Sequence, residues 1–193
     1  MGTRNLTVVY LDGEPKVAQY GQWDGYPSCA GEVLADEMKK IIFENGLGRL
    51  ADNVRGCRFL TLKETVERYK SIGVEEGRQW INGEEAAAFK ALYPQLDRDM
   101  GYDIVDYIYE NGPQELSNSF DFAANTLSCE WAYVVDLDEE TFSVYCGYGK
   151  TLGDQGHFAG LDVDTVRLVD RVSFDELVST DTNELVERWE SRG

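Results

Sequence analysis

The strongest constraint on this chain is a change of hydrophobic period along its length. Residues 131–136 (WAYVVD) and 142–146 (FSVYC) are rich in β-branched and aromatic side chains, and the LDEET between them is a turn. Side chains of this kind suit a pleated, half-buried surface, so the pair reads as a β-hairpin. The N-terminus repeats the pattern. Residues 5–11 (NLTVVYL) partly alternate, Asp12-Gly13 is a turn signal, and residues 16–23 resume extended character. A second hairpin is expected there. Residues 165–172 (TVRLVDRV) suggest one more strand.

Between the hairpins the spacing becomes helical. Residues 30–45 carry Val33, Leu34, Met38, Ile41 and Ile42 as one apolar stripe, with Gly46 just past its end. Residues 54–60 suggest a short strand. Thr61-x-x-Glu64 is a capping box, in which the side chains at both positions bond the backbone N–H groups that a helix start leaves free. Asn82-x-x-Glu85 opens a further helix that Pro94 ends, and another is expected over about residues 97–111, before Gly112-Pro113. Ser173-x-x-Glu176 and Asp181 start two more. Strands, helices, strands, helix is an α+β order. The expected fold is one domain over residues 1–193. Its antiparallel sheet is built from the N-terminal and C-terminal hairpins, and a helical insert at about 30–112 covers one face.

Charge is unevenly placed. Residues 1–100 hold 16 acids and 13 bases, whereas residues 101–193 hold 20 acids and 5 bases. A field of that sign repels phosphate and anionic membranes, so no direct nucleic-acid or membrane binding is expected. It attracts basic surfaces; the plainer alternative is a solvated acidic face. Candidate contacts are Asp103, Asp106, Glu110, Asp121, Asp136, Asp138, Glu139 and Glu140. No run approaches the length of a membrane span, and no secretory leader pattern is present, so a cytoplasmic protein is expected. The Met1-Gly2 start lacks the Ser or Thr that myristoylation needs at position 6, which is Leu6.

Recognisable catalytic and metal patterns are weak. Cys29, Cys57, Cys129 and Cys146 form no C-x-x-C pair and no His stands at ligand spacing, so free thiols and no metal site are expected. Cys129 and Cys146 flank the C-terminal hairpin, where a cross-strand disulfide is the minor alternative. Gly149-Lys150-Thr151 resembles a P-loop ending, but position 144 is Val144 where that loop needs Gly. Removing Met1 exposes Gly2, which has no nucleophile. Asp162 and Asp164 lack the Gly and closing Glu of a calcium loop. No cofactor is expected. One enzyme reading remains: Cys29 at a helix start as a thiolate, His157 as its base, and Asp24 or Asp154 orienting the imidazole.

Trp23-Asp24-Gly25-Tyr26-Pro27 admits two readings. Asp24 accepts backbone N–H bonds while the rings pack, which makes a sharp corner. Alternatively, Trp23 and Tyr26 form a stacking shelf with Asp24 as acceptor.

Met1-Gly-Thr-Arg4, Val17-Ala-Gln-Tyr-Gly-Gln-Trp-Asp-Gly-Tyr-Pro27, and later Cys129-Glu-Trp-Ala-Tyr-Val-Val-Asp-Leu-Asp138 with Phe142-Ser-Val-Tyr145 resemble a family of uncharacterised bacteriophage and prophage proteins. The motifs cover about a fifth of the chain. Ser28-Cys29-Ala30-Gly31 departs from that family, whose members often continue with Gly-Gln-Gly. The resemblance implies a mobile-element origin in a bacterial host and carries no chemistry with it. Together with the charge, it sets the leading expectation. This is an acidic accessory protein that binds a basic, nucleic-acid-handling host protein, as a DNA-mimic inhibitor of host defence such as an anti-CRISPR would. The alternatives are a small hydrolase or transferase using Cys29 and His157, a ligand-binding module without catalysis, and a structural phage protein with neither role.

Overall fold

A computed structural model describes residues 2–75, 78, 81–147, 153–161 and 164–193. Gly149, Lys150, Thr151 and Asp162 lie outside them. Two hairpins form, as the alternation requires: β1 (Asn5–Leu11) with β2 (Glu14–Gly21), and β5 (Trp131–Asp136) with β6 (Thr141–Cys146). They join β7 (Arg167–Ser173) in one five-stranded sheet of order β2-β1-β5-β6-β7. The fold is α+β and mostly antiparallel. One pair departs from the expected pattern: β1 and β5 run parallel, with Leu6 opposite Ala132 and Val8 opposite Val134.

Helical elements connect the hairpins. Pro27–Gly31 is a π-helical turn that leads into α1 (Glu32–Phe43), followed by α2 (Leu47–Arg55). The expected strand over 54–60 is reduced to β3 (Arg58–Phe59), paired with β4 (Glu115–Leu116). α2 occupies the ground before it, because Gly46 both ends the α1 turn and caps α2. The capping boxes at Thr61 and Asn82 both form and start α3 (Leu62–Ser71) and α4 (Gly83–Leu92). The helix expected from residue 97 begins later. Gly101–Asp103 is a 3-10 turn and α5 is Ile104–Asn111. Ser173 and Asp181 cap α6 (Phe174–Ser179) and α7 (Thr182–Arg192).

Alternation along the strands sends side chains to two buried faces. On one, Val9, Val17, Tyr133, Val135, Phe142 and Val144 pack against α1, α2, α5, α6 and α7. On the other, Leu6, Val8, Ala132, Val134 and Tyr145 meet Ala123, Phe158 and Val166. The 3-10 segments Phe120–Ala124 and Gly156–Leu161 supply that second cover. Cys129 belongs to the second face and Cys146 to the first, and both are buried, so the sheet separates them. No helix among the described residues is long and apolar enough to cross a membrane.

Trp189 anchors α7 to the sheet. It is fully buried, stacks on Phe142 at 5.6 Å between ring centroids, and donates from Nε1 to Asp170 Oδ2 at 3.1 Å. Trp189→Ala should lower unfolding free energy by roughly 3–5 kcal/mol, as large-to-small core changes do. Urea denaturation followed by circular dichroism measures it, and a loss below about 1 kcal/mol would show that α7 is not part of the cooperative core.

Candidate functional site

The corner after β2 is held by backbone contacts. Gly25 N donates to Thr3 O at 2.9 Å, Ala30 N to Asp24 O at 3.2 Å, and Cys29 N to Tyr26 O at 3.0 Å. Two side chains finish it: Asn5 Nδ2 donates to Trp23 O at 3.3 Å and Tyr133 Oη to Gly25 O at 2.9 Å. A Cβ at residue 25 would lie 2.6 Å from Asn5 Cβ, so the close approach needs glycine.

The corner therefore exists, but the expected cause of it does not. The Asp24 carboxylate makes no hydrogen bond among the described residues, and the rings do not close over it. Trp23 and Tyr26 are 48% and 40% exposed. Asp24 itself sits at φ +51°, a left-handed conformation that side chains rarely adopt. Strain of this kind persists only where the surroundings impose it, and it concentrates at functional sites.

What lies beside the corner could not be read from spacing. Trp23 Nε1 donates to Asp99 Oδ1 at 3.1 Å, and Lys90 Nζ donates to Asp99 Oδ2 at 2.9 Å. The ammonium contact holds the Asp99 carboxyl below its ordinary range. Asp99 in turn lines a groove of about 380 Å³ with Lys90, Met100, Asp103, Asp106 and Tyr107. Desolvation, then the neighbouring Asp106, raise the Asp103 carboxyl above its ordinary value. Glu37 is raised by burial and by its hydrogen bond with Asp106. Lys40 approaches both, at 3.3 Å from Glu37 and 3.7 Å from Asp106. At the inner edge Cys29 Sγ lies 3.6 Å from Tyr102 Oη, and burial followed by this contact pushes the Tyr102 phenol up. Trp23, Asp24, Tyr26, Asp103 and Asp106 thus adjoin, although 76 residues separate Trp23 from its partner Asp99.

The remaining candidate carboxylates do not join them. Glu110 pairs with Arg49 at 3.8 Å further along α5. Asp121 is exposed on the Phe120–Ala124 segment, on the opposite side of the sheet. Asp138 accepts from Asp12 N at 3.0 Å and Gly13 N at 2.8 Å, which ties the two hairpin turns and lowers its carboxyl. Glu139 and Glu140 are exposed in the same turn, with Glu140 at φ +52°. Asp136 is a correction. It is 6% exposed and faces inward, so it is no surface contact.

Asp136 instead builds a polar cluster under the second face. Its Oδ1 accepts from Asp138 N and Glu139 N, both at 2.9 Å, and its Oδ2 lies 2.9 Å from His157 Nε2. A carboxylate only accepts, so Nε2 carries the hydrogen. Tyr145 Oη meets Nδ1 at 2.7 Å and also accepts from His157 N at 3.2 Å. Tyr10 donates to His157 O at 2.9 Å. Every polar atom of the imidazole is used in fastening this segment to the sheet. Cys29 lies against Tyr102 on the helical side and His157 lies on the other, so the sheet stands between the two members of the expected thiol–imidazole pair.

No family model, curated protein or solved structure matches this chain. The site is therefore read from its own geometry: two exposed aromatics and a free carboxylate on a rigid corner, continuous with an acidic groove. Among the described residues no group of His, Cys, Asp and Glu has the arrangement of a metal site.

Two measurements test the inner cluster. His157→Ala leaves Asp136 buried beside an empty position and should destabilise by about 3 kcal/mol in urea titration, the scale of breaking a buried pair from one side. Burial, then Tyr145 and Asp136, push the Tyr10 phenol from its ordinary value of 10 up to about 12. The folded chain keeps that proton longer than the unfolded chain. The stability it contributes is complete below pH 10 and is lost as the pH rises through about 12. Tyr10→Phe should remove one late-ionising phenol from the alkaline absorbance titration, and an unchanged late phase would contradict the assignment.

Proposed function

We propose that this chain is a binding protein whose corner and acidic groove meet a basic protein surface. The observation that carries the reading is the hydrogen bond from exposed Trp23, on the corner with Asp24 and Tyr26, to Asp99, which lines the groove with Asp103 and Asp106. Aromatic rings beside carboxylates suit Lys and Arg side chains, through ring-face attraction and ion pairing together. Trp and Tyr are also the side chains that most often dominate binding energy at interfaces. The fuller reading is a phage- or prophage-encoded accessory protein acting in the bacterial cytoplasm. It binds a host protein that handles nucleic acid, as a DNA-mimic inhibitor of host defence such as an anti-CRISPR. The excess of acids past residue 100 supports that reading.

The contact set differs from a simple string of surface acids. Asp136 is internal, Asp138 is engaged with the neighbouring turn, and Glu110 is paired with Arg49. A ligand-binding module is the second reading, favoured by the groove volume of about 380 Å³, which falls within the range of small-molecule sites.

Capture from bacterial lysate on immobilised protein, with identification of the retained proteins, tests the first reading. Basic, nucleic-acid-binding proteins should be retained at 50 mM salt and lost by at least tenfold at about 300 mM, because screening shortens the reach of exposed charges. Asp106→Asn together with Trp23→Ala should reduce retention at least tenfold. Retention of only neutral or acidic proteins, or retention indifferent to salt, would overturn it.

A further inference from the structure

Three polar side chains are buried on the helix-facing side of the sheet with an oxygen left over. Asn5 and Thr7 on β1 are fully buried, and Gln19 on β2 is 3% exposed. Asn5 Oδ1, Thr7 Oγ1 and Gln19 Oε1 have no hydrogen-bond partner among the described residues. Thr7 stands directly opposite Gln19 in the antiparallel register, and Asn5 is two residues from Thr7 on the same strand. Period-2 alternation therefore projects all three from one face, beside Val9 and Val17.

The amide orientations are fixed from their other ends. Asn5 Nδ2 donates to Trp23 O, and Gln19 Nε2 donates to Tyr20 O at 3.2 Å and Asp97 O at 3.3 Å. Flipping either amide would place an oxygen against those carbonyls. Asn5 Oδ1 and the Gln19 amide lie beneath the chain over 97–103. There Gln22 N donates to Arg98 O at 3.2 Å, and a Cβ at Gly101 would come within 4.0 Å of Asn5 Oδ1.

We infer that a single ordered water molecule occupies this position. It donates one hydrogen to Asn5 Oδ1 and the other to Gln19 Oε1, and it accepts from the Thr7 hydroxyl. All three groups are then satisfied by one molecule making three bonds, the usual number for a buried water. A hard cation fits poorly. It takes six or more oxygens, commonly including carboxylates, and it leaves the Thr7 hydroxyl hydrogen without an acceptor. The water holds the two side chains that fasten neighbouring parts of the site: Asn5 fixes the corner through Trp23 O, and Gln19 fixes the 97–103 segment through Asp97 O. The assignment does not depend on what the groove binds.

A crystal structure of the full chain at about 1.5 Å resolution reads the site directly. One peak about 2.6–3.2 Å from all three oxygens is expected, which is ordinary hydrogen-bond range. Side chains paired with one another around no peak would overturn the inference, as would a peak with at least five oxygens near 2.4 Å, the signature of a cation. Thr7→Val removes the donor at nearly constant shape. It should abolish the peak and speed hydrogen exchange at the Gln22 and Gly25 amides at least tenfold, whereas Thr7→Ser keeps both at wild-type values. Unchanged exchange in a folded Thr7→Val, with the peak still present, would also overturn it.

Discussion

The parallel pairing of β1 with β5 is the contact on which the rest of the architecture depends. Each strand is also the inner member of an antiparallel hairpin, so both are hydrogen-bonded on two edges and buried on two faces. Parallel neighbours cannot be joined by a tight turn and need a long crossover. The connection here is β2 followed by the crossover from residue 22 to residue 130. Its helices cover one face of the sheet, and its later part, Phe120–Ala124, reaches the other. The same pairing places Tyr10 beside Asp136, which lets a single imidazole be fixed from both strands.

Much of the local structure was legible because it follows from short-range chemistry. The capping pairs Thr61–Glu64 and Asn82–Glu85 fix helix starts to the residue, and both hairpins follow from alternation and turn residues. What escaped depends on distant parts of the chain. α2 was hidden because Gly46 serves two helices at once, and a glycine usually reads only as a stop. The parallel pair was hidden because alternation states which residues share a face, not which strand lies alongside.

The candidate site shows the same division. Trp23, Asp24 and Tyr26 stood out as a string, but their neighbours Asp99 and Tyr102 carried no local signal. They matter because the turn at Gly101 brings them back against Gly21. Asp136, expected as a surface contact at the strand end, is internal. Its parity was the available clue: counting by twos from Ala132 and Val134 puts it on the inner face with them. His157, met as an isolated loop histidine, is a fastener whose polar contacts come from β1, β5 and β6.

The bridge from Asp138 to the Asp12–Gly13 amides couples two connections that chain order keeps far apart. Arg55 reaches Asp12 from α2 at 3.1 Å and extends the same tie to the helical layer. The lengths of the two hairpin loops are therefore correlated quantities. A residue inserted into either one unhooks a carboxylate that the other relies on, so drift at this end of the sheet must proceed by paired change or by substitution alone.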